Sequence, residues 1–534
     1  MPLNIFTWLL AFSPVLMVLI LMLRFKWGGS KAGAFSWFVA LGVAIIFFGA
    51  GPRLIAYTQA KAVLLSLDVM YIIWTALLLF HTASEAGAIQ DIGQALTRLT
   101  ASRTLQGLLV GWLFVSFLQG MGGFGVPVAV TAPLLVGLGF NPIQAVLIAC
   151  IGHGWAVNFG SLATSFQTMI AVTGLPGELL AHDSALLLGI SCFFCGGIVA
   201  LIAGGWRGFV RTLPAVLVLG GLMGSAQYWL ATHRLWTLGA TGGAMVGLAG
   251  GILLTRLPFV QQAAARAAAE QGEPGGVRPV IGSPGNGSPS QPRSLLLSMS
   301  AYGILVVLAF STNLIPPVRA FLDQVIINMQ FPELSTSLGW VTPAEGGRSI
   351  SLFGHPGAIL FYSSALSFLI YRRAGYYQPG ALRRILDKTA HGAISSSLAI
   401  LSMVGMAVIM SHAGMTNILA LGLSQSVGRA AYPVVATLIG ALGAFITGSN
   451  NNSNVLFAIL QMETAGMLGL HVPLILGAQT AGASLGSVMA PAKVIVGCST
   501  VGLGGKEGAV MLRVMKWGVI PLALVALAAT ILVR

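Results

Sequence analysis

The chain has 534 residues, of which 56% are hydrophobic and only 7% charged, and its formal net charge is +14. A soluble domain carries roughly 25% charged residues, so this composition excludes a soluble protein. Apolar runs of about 17–25 residues recur without the alternation of barrel strands, and that is the length of a membrane-crossing helix. We therefore predict an all-α, polytopic integral membrane protein with about 12–14 membrane segments, counting broken ones.

The first apolar segment runs from Phe6 to Leu23 and is followed by Arg24 and Lys26. It lacks a basic leading region and a cleavage site, so we predict a membrane helix with a cytoplasmic C-terminal end rather than a removed signal peptide. Most other basic residues lie in short connections, as the positive-inside rule describes. The net charge therefore indicates orientation in a lipid bilayer, and we expect no nucleic-acid partner.

One stretch separates two membrane halves of similar size. Residues 256–293 become rich in Gly, Pro and Ser and cannot bury an apolar face, so we predict a flexible cytoplasmic linker. The chain then divides into an N-terminal membrane half, 1–255, and a C-terminal membrane half, 294–534. A second polar stretch, from about Pro316 to His355, is predicted to form a small ordered loop on the opposite face.

Each half contains one interrupted apolar segment. The run Gly120–Pro127 holds four glycines and a proline, and Ser449–Asn454 holds six amide or hydroxyl side chains. Inside a bilayer, unwound backbone survives only where protein or a water-filled cavity satisfies it. A pair of broken helices in corresponding places is typical of secondary transporters. We predict two inverted repeats, each contributing a broken or re-entrant helix to a site at the membrane midplane.

The predicted site suits a small carboxylate. Half-helix N-termini present unpaired N–H groups and a positive dipole end without a formal charge. Polar side chains near the breaks complete the site, although an Asn- and Ser-rich run also suits an exposed turn. The substrate-binding candidates are Gln119, Gly122, Gly123, Phe124, Gly125, Asn158, Ser449, Asn450, Asn451, Asn452, Ser453, Asn454, Gln479 and Lys493.

Proton or ion coupling needs titratable groups at membrane depth, and these are few. Glu463, Glu85 and His153 are the candidates, since a buried ionisable residue in a membrane protein is a functional hypothesis by default. The carboxylates can instead lie at a water interface, His153 can be a hydrogen-bonded core residue, and Lys493 can extend to an interface. The C-x-x-C pair Cys192 and Cys195 lies in an apolar segment, so we expect inert thiols and no metal.

Three segments carry a specific resemblance. Gln119–Phe140, Gly448–Phe457 and Gly497–Gly508 resemble signature stretches of the L-lactate permease family. The resemblance implies proton-coupled uptake of lactate, glycolate or similar 2-hydroxy monocarboxylates across a bacterial inner membrane. It also implies paired re-entrant hairpins and elevator-like movement. The family usually has an acidic residue before the glycine run, whereas this chain has Gln119; if proton symport in relatives depends on that carboxylate, this chain must use another group or another coupling.

Two other functions remain as alternatives. A sodium-coupled carboxylate carrier is one, because an Asn-rich break offers oxygen ligands to Na⁺. The other is a membrane-embedded enzyme subunit, but the sequence shows no ligand cluster and no phosphate-binding loop of the required spacing. We therefore expect a secondary active transporter that is not an enzyme and uses no cofactor, with H⁺ as the coupling ion and Na⁺ as the alternative. The sequence leaves the oligomeric state open.

Overall fold

The computed structural model describes residues 3–533 except 98, 101, 124, 259, 263–293 and 347–349. Most of the predicted linker, and the site candidate Phe124, therefore lie outside the described residues. The described chain is almost entirely helical, as the composition predicts.

The N-terminal half contains eleven described helices. A π-helical turn, Leu109–Phe114, joins α5 to α6, and 3₁₀ turns occupy Gly154–Ala156 and Trp236–Leu238. In chain order the helices are α1 Ile5–Leu23, α2 Gly29–Ile46, α3 Pro52–Glu85, α4 Ala88–Thr97, α5 Arg103–Leu108, α6 Val115–Met121, α7 Val126–Gly137, α8 Pro142–Gly152, α9 Gly160–Thr173, α10 Gly177–Thr232 and α11 Gly239–Arg256.

The C-terminal half adds eleven described helices and six two-residue strands. The helices are α12 Leu295–Ser298, α13 Ser300–Leu314, α14 Pro316–Leu322, α15 Pro356–Arg373, α16 Ala381–His412, α17 Met415–Ser426, α18 Tyr432–Thr447, α19 Asn450–Met467, α20 Val472–Met489, α21 Pro491–Thr500 and α22 Glu507–Leu532. The strands are β1 Ile326–Ile327, β2 Gln330–Phe331, β3 Leu334–Ser335, β4 Val341–Thr342, β5 Glu345–Gly346 and β6 Ile350–Ser351.

Nine helices within the described residues are long and apolar enough to cross a membrane, or eleven segments if each of two bent pairs counts as one span. Two further apolar helices, α7 and α18, are shorter than a span. With these two, the number of apolar segments reaches the predicted range of about 12–14. The two short helices belong to the interrupted segments.

Both interrupted segments fold as helical hairpins. In the first, α5 and α6 run up to the tip at Gly122–Gly125 and α7 returns beside them, so that Gly111 lies beside Leu135. In the second, α18 and α19 are antiparallel about a tip at Gly448–Ser449, and the Ser453 hydroxyl donates to the Gly440 carbonyl over 2.8 Å. We call these two elements hairpin 1 and hairpin 2.

A broken helix follows each hairpin. After hairpin 1, α8 and its 3₁₀ turn meet α9 at a bend of 49°. After hairpin 2, α20 is separated from α21 by Ala490, whose backbone is extended, and Pro491 then begins α21 because proline fits the first helical turn. The order of hairpin, short loop and broken helix thus occurs in both halves. The inverted relation between the halves stays a prediction.

Glycines let each hairpin pack directly on its broken helix. A methyl group on Gly152 would overlap the carbonyl oxygen of Gly111, and one on Gly482 would overlap that of Thr437. Gly440 and Gly486 make the same kind of contact. Backbone-to-backbone packing of this kind is how membrane helices associate closely.

In the predicted loop from Pro316 to His355, the described residues form α14 and one long β-hairpin. Its ladders pair β1 with β6, β2 with β5 and β3 with β4, all antiparallel. The β-hairpin lies along α3: Lys61 contacts the ring of Phe331, and Ser337 donates its N–H to the Gly49 carbonyl over 2.9 Å.

Candidate functional site

The tips of the two hairpins contact the same helix, α21. A Cβ on Gly125 would lie 3.5 Å from Val496, and one on Gly448 would lie 3.6 Å from Ala492. Ala492 and Val496 are four residues apart and therefore share one face of α21. The tips thus approach each other within about one helical turn.

Hairpin 1 reaches the broken helix α8–α9 at its tip. The Gly123 N–H donates to the Ser161 hydroxyl over 2.7 Å, and the Gln119 side chain lies against Gly123 and Gly160. Ser161 and the two residues after it have left-handed φ values of 45°, 58° and 63°. Left-handed backbone costs about 1–2 kcal/mol per non-glycine residue, and such strain is found at functional sites. Here it directs the Ser161 hydroxyl to the hairpin tip.

Hairpin 2 contributes consecutive polar residues from the first turns of α19. The break is shorter than predicted, since only Gly448 and Ser449 precede the helix, which begins at Asn450. Asn450 donates to the Ser484 hydroxyl over 2.9 Å, and Asn454 donates to the Ser165 carbonyl over 3.0 Å. The Ser165 hydroxyl bonds Asn451, Asn452 faces Gly29, and Ser453 bonds Gly440 within hairpin 2.

Thr480 joins the two broken helices. Its hydroxyl donates to Asn158 Oδ1 over 2.7 Å and accepts from Asn454 Nδ2 over 2.9 Å. All three residues are fully buried. This junction connects α20, hairpin 2 and the break between α8 and α9, so both halves of the chain build one polar region.

Gln479 belongs to a neighbouring polar chain. It donates to the Ser453 hydroxyl over 3.2 Å and accepts from Gln461 over 3.2 Å, and Tyr432 donates to Gln461 over 2.7 Å. These bonds tie hairpin 2 to α20. Gln479 therefore helps to hold hairpin 2 against α20 next to the polar region.

Several buried polar atoms of this region have no hydrogen-bond partner among the described residues. They are Gln119 Oε1, Asn158 Nδ2, Asn454 Oδ1 and His153 Nε2. Buried polar groups are nearly always paired, so each such atom requires an explanation. A set that includes an N–H donor and several acceptors is what a small polar ligand would use.

Lys493 lies on α21 between the residues that the two tips contact. It is 5% exposed, and its Nζ donates to the Ser487 hydroxyl over 3.1 Å. Ser487 in turn donates to the Ser484 carbonyl over 2.9 Å, which connects Lys493 to the partner of Asn450. The structure thus joins Lys493 to the same polar region.

The two carboxylates predicted for coupling lie elsewhere. Glu85 ends α3 and forms ion pairs with Arg384 at 2.6 Å and Lys388 at 3.0 Å, so it links α3 to the start of α16. Glu463 is half-buried further along α19, and its Oε2 atom has no hydrogen-bond partner among the described residues. The structure does not bring either carboxylate to the hairpin tips.

Four serine hydroxyls of the site are absent from the residues predicted from the sequence: Ser161, Ser165, Ser484 and Ser487. Thr480, Ser484 and Ser487 are spaced so that they share one helix face, and this spacing is the sequence pattern that could have indicated the hydroxyls of α20. Over the described ranges, no group of three His, Cys, Asp or Glu side chains is arranged to hold a metal ion. The four cysteines are free and buried.

A polytopic helical membrane protein in which two helical hairpins meet two broken helices has the architecture of a secondary transporter. The L-lactate permease family profile matches residues 7–534. The chain belongs to that family. It is a multi-pass membrane transporter of the bacterial inner membrane, and not an enzyme.

Similar proteins agree with this assignment. The L-lactate permease of Salmonella typhimurium is 27% identical, over 93% of this chain and 91% of the relative. The glycolate permease GlcA of Escherichia coli is 27% identical, over 96% and 93%. The L-lactate permease of Bacillus subtilis is 27% identical, over 97% of both chains.

The fold also has a solved counterpart. The crystal structure of the YdaH transporter from Alcanivorax borkumensis aligns with a TM-score of 0.53 over 95% of this chain and 98% of that one. The sequence identity is 13%, so this likeness concerns the fold.

Proposed function

We propose that the protein is a secondary active transporter that takes up short 2-hydroxy monocarboxylates, such as lactate and glycolate, together with protons. The observation that carries the proposal is the meeting of both hairpin tips with both broken helices around unpaired buried polar atoms. Relatives named lactate and glycolate permeases support the choice of substrate. In this proposal no cofactor takes part.

The site has the electrostatics that a carboxylate needs. Helices α7, α19 and α21 all begin at or next to the tips, and helix N-termini present unpaired N–H groups to anions. The hydroxyl and amide groups of Ser161, Asn158 and Asn454 suit a substrate 2-hydroxyl, which both donates and accepts. A short hydroxy acid therefore finds partners for both of its polar groups.

Uptake into proteoliposomes tests the proposal. Purified protein should accumulate labelled L-lactate or glycolate when the outside is acidified, and a protonophore should abolish the accumulation. Protein-free liposomes are the control. If none of these hydroxy acids enters under a pH gradient or a sodium gradient, the proposed substrate class is wrong.

Sodium coupling is a second candidate because two unpaired buried atoms, Gln119 Oε1 and Asn454 Oδ1, are oxygens of the type that binds cations. An inward sodium gradient at equal pH on both sides separates the two ions. Accumulation under that gradient alone would favour Na⁺, whereas accumulation under the pH gradient alone favours H⁺.

A further inference from the structure

Lys493 is a buried ionisable side chain without an acidic partner. Its Nζ has the Ser487 hydroxyl as a hydrogen-bond partner, and no Asp or Glu of the described chain forms an ion pair with it. Burying an unpaired charge costs several kcal/mol even after relaxation. Ionisable residues kept in membrane interiors at such a cost mark substrate or ion pathways.

The nearest titratable side chains belong to the end of α8 and the residue after it. Cys150 and His153 are three residues apart, and both interact electrostatically with Lys493. His153 Nδ1 lies 2.7 Å from the Ala149 carbonyl, which can only accept, so Nδ1 carries a proton. An imidazole is either neutral or cationic, so His153 offers Lys493 no counter-charge.

The other elements packed on α21 offer none either. Helices α7 and α20 have no titratable side chain, and α21 itself carries Cys498 besides Lys493. Helix α22 carries Glu507, Arg513 and Lys516, of which Glu507 interacts with Cys498. The missing partner of Lys493 is thus an anion that the described chain does not supply.

We propose that Lys493 binds the substrate's carboxylate and carries the coupling proton in the same step. This inference rests on the function proposed above and names the coupling group. An outside proton protonates the Lys493 amine as the carboxylate anion binds, and the ammonium and carboxylate form a pair without net charge. On the inner side the anion leaves, the proton follows it into water, and Lys493 returns as a neutral amine.

In this cycle the site has no net charge either when it is loaded with substrate or when it returns empty. Since an uncompensated charge is costly in a low-dielectric environment, the loaded pair and the empty amine are the favourable travelling forms. One proton accompanies each monocarboxylate, so transport is electroneutral. The cycle also needs no carboxylate at position 119, which accounts for a working carrier with Gln119.

The variant Lys493→Arg separates binding from coupling. An arginine stays charged in proteins, so it can pair with the carboxylate but cannot return as a neutral group. We expect K493R proteoliposomes to exchange external labelled lactate for internal lactate, because only the loaded form moves in exchange. Net accumulation driven by a pH gradient should be lost. The matched control is K516R on the exposed part of α22, which should retain both activities.

The variant Lys493→Gln tests the carboxylate contact separately. It should bind lactate about ten- to a hundred-fold more weakly, as measured by the lactate-induced rise in melting temperature. This readout also shows whether the variant is folded. A K493Q protein that lactate stabilises as strongly as wild type would overturn the contact.

Two further results would overturn the coupling role. One is K493R accumulating lactate under a pH gradient as wild type does. The other is wild-type uptake that responds to a potassium–valinomycin membrane potential, since electroneutral transport should not. Failure of the proposed function would look different, because wild-type protein would then neither exchange nor accumulate any hydroxy acid.

Discussion

The Thr480 hydroxyl makes hydrogen bonds to side chains from two different elements of the site. It satisfies Asn158 and Asn454 at once, and these residues come from a different broken helix and from hairpin 2. A buried polar group that loses its partner costs about 1–3 kcal/mol. Position 480 therefore controls whether the two halves of the site remain aligned.

We expect Thr480→Val to reduce lactate uptake at least tenfold while the protein still folds. The change keeps the shape but leaves the Asn158 carbonyl without its donor and Asn454 without one of its two acceptors. Initial uptake rates in proteoliposomes measure the effect. The control is T168V, since the buried Thr168 hydroxyl bonds only the Thr164 carbonyl of its own helix. Equal rates for both variants would show that the junction does not matter for transport.

At the residue scale, the amide side chains predicted from the sequence lie together in the structure, whereas the two predicted carboxylates lie apart from the hairpin tips. Asn158, Asn450 and Asn454 stand next to glycine- or proline-marked breaks, and that local signal places them at the site. Glu85 stands out only because acidic residues are rare, and its partner Arg384 is almost 300 residues away in the chain. Ion pairs formed over such separations have no signature in a single sequence.

At the element scale, the glycines of the hairpins set the distance between helices. Gly440, Gly482 and Gly486 form one seam in which α18 and α20 pack backbone against backbone. Because side chains cannot fit in the seam, hairpin 2 and α20 must lie together closely enough for Gln479 to reach Ser453. The same arrangement joins Gly111 and Gly152 in the first half.

Gly482→Ala should damage both stability and transport. Its methyl group would overlap the Thr437 carbonyl, so α18 must move away, and overpacking of this kind costs about 1–3 kcal/mol. Thermal unfolding in detergent and lactate uptake are the two measurements. Gly466→Ala is the control because a Cβ there meets nothing within 4 Å. A G482A protein as stable and active as G466A would show that the seam tolerates more space than the structure indicates.

Interrupted helices can be predicted from sequence, whereas their folding into hairpins cannot. Glycine and proline break a helix through their own backbone preferences, so the breaks at Gly122–Gly125 and Gly448–Ser449 can be predicted from the sequence. Whether the chain then turns back depends on packing against distant helices. For the β-hairpin from β1 to β6 the sequence predicts only a loop, because each of its strands has only two residues.

At the scale of the whole molecule, the hydrophobic interior divides into two main clusters. One contains α4–α11 and α20–α22 with the second part of α3, α13 and α15, and the other contains α1, α2, the first part of α3, α16 and α17 together with one face of α19. We call α1–α3, α16 and α17 the scaffold. Hairpin 2 therefore contacts the scaffold through α19 while its tip belongs to the site. Movement of the site across the membrane would have to occur along this boundary.

A disulfide across that boundary should stop transport. A Cβ on Gly29 would lie 3.6 Å from the Asn452 side-chain nitrogen, so side chains at these two positions are in contact across the boundary, and G29C/N452C is the pair to oxidise. We expect oxidation to abolish lactate exchange as well as net uptake, and reduction to restore both, because α19 and the scaffold can then slide again.

The matched control pair is G33C/S402C, which joins α2 to α16 inside the scaffold, where a Cβ on Gly33 would lie 3.0 Å from the Ser402 hydroxyl. Its oxidation should leave exchange intact, since no moving boundary is crossed. If the oxidised G29C/N452C protein transports as fast as the reduced one, hairpin 2 stays fixed against α2. The substrate would then have to be released by opening of a hairpin tip alone.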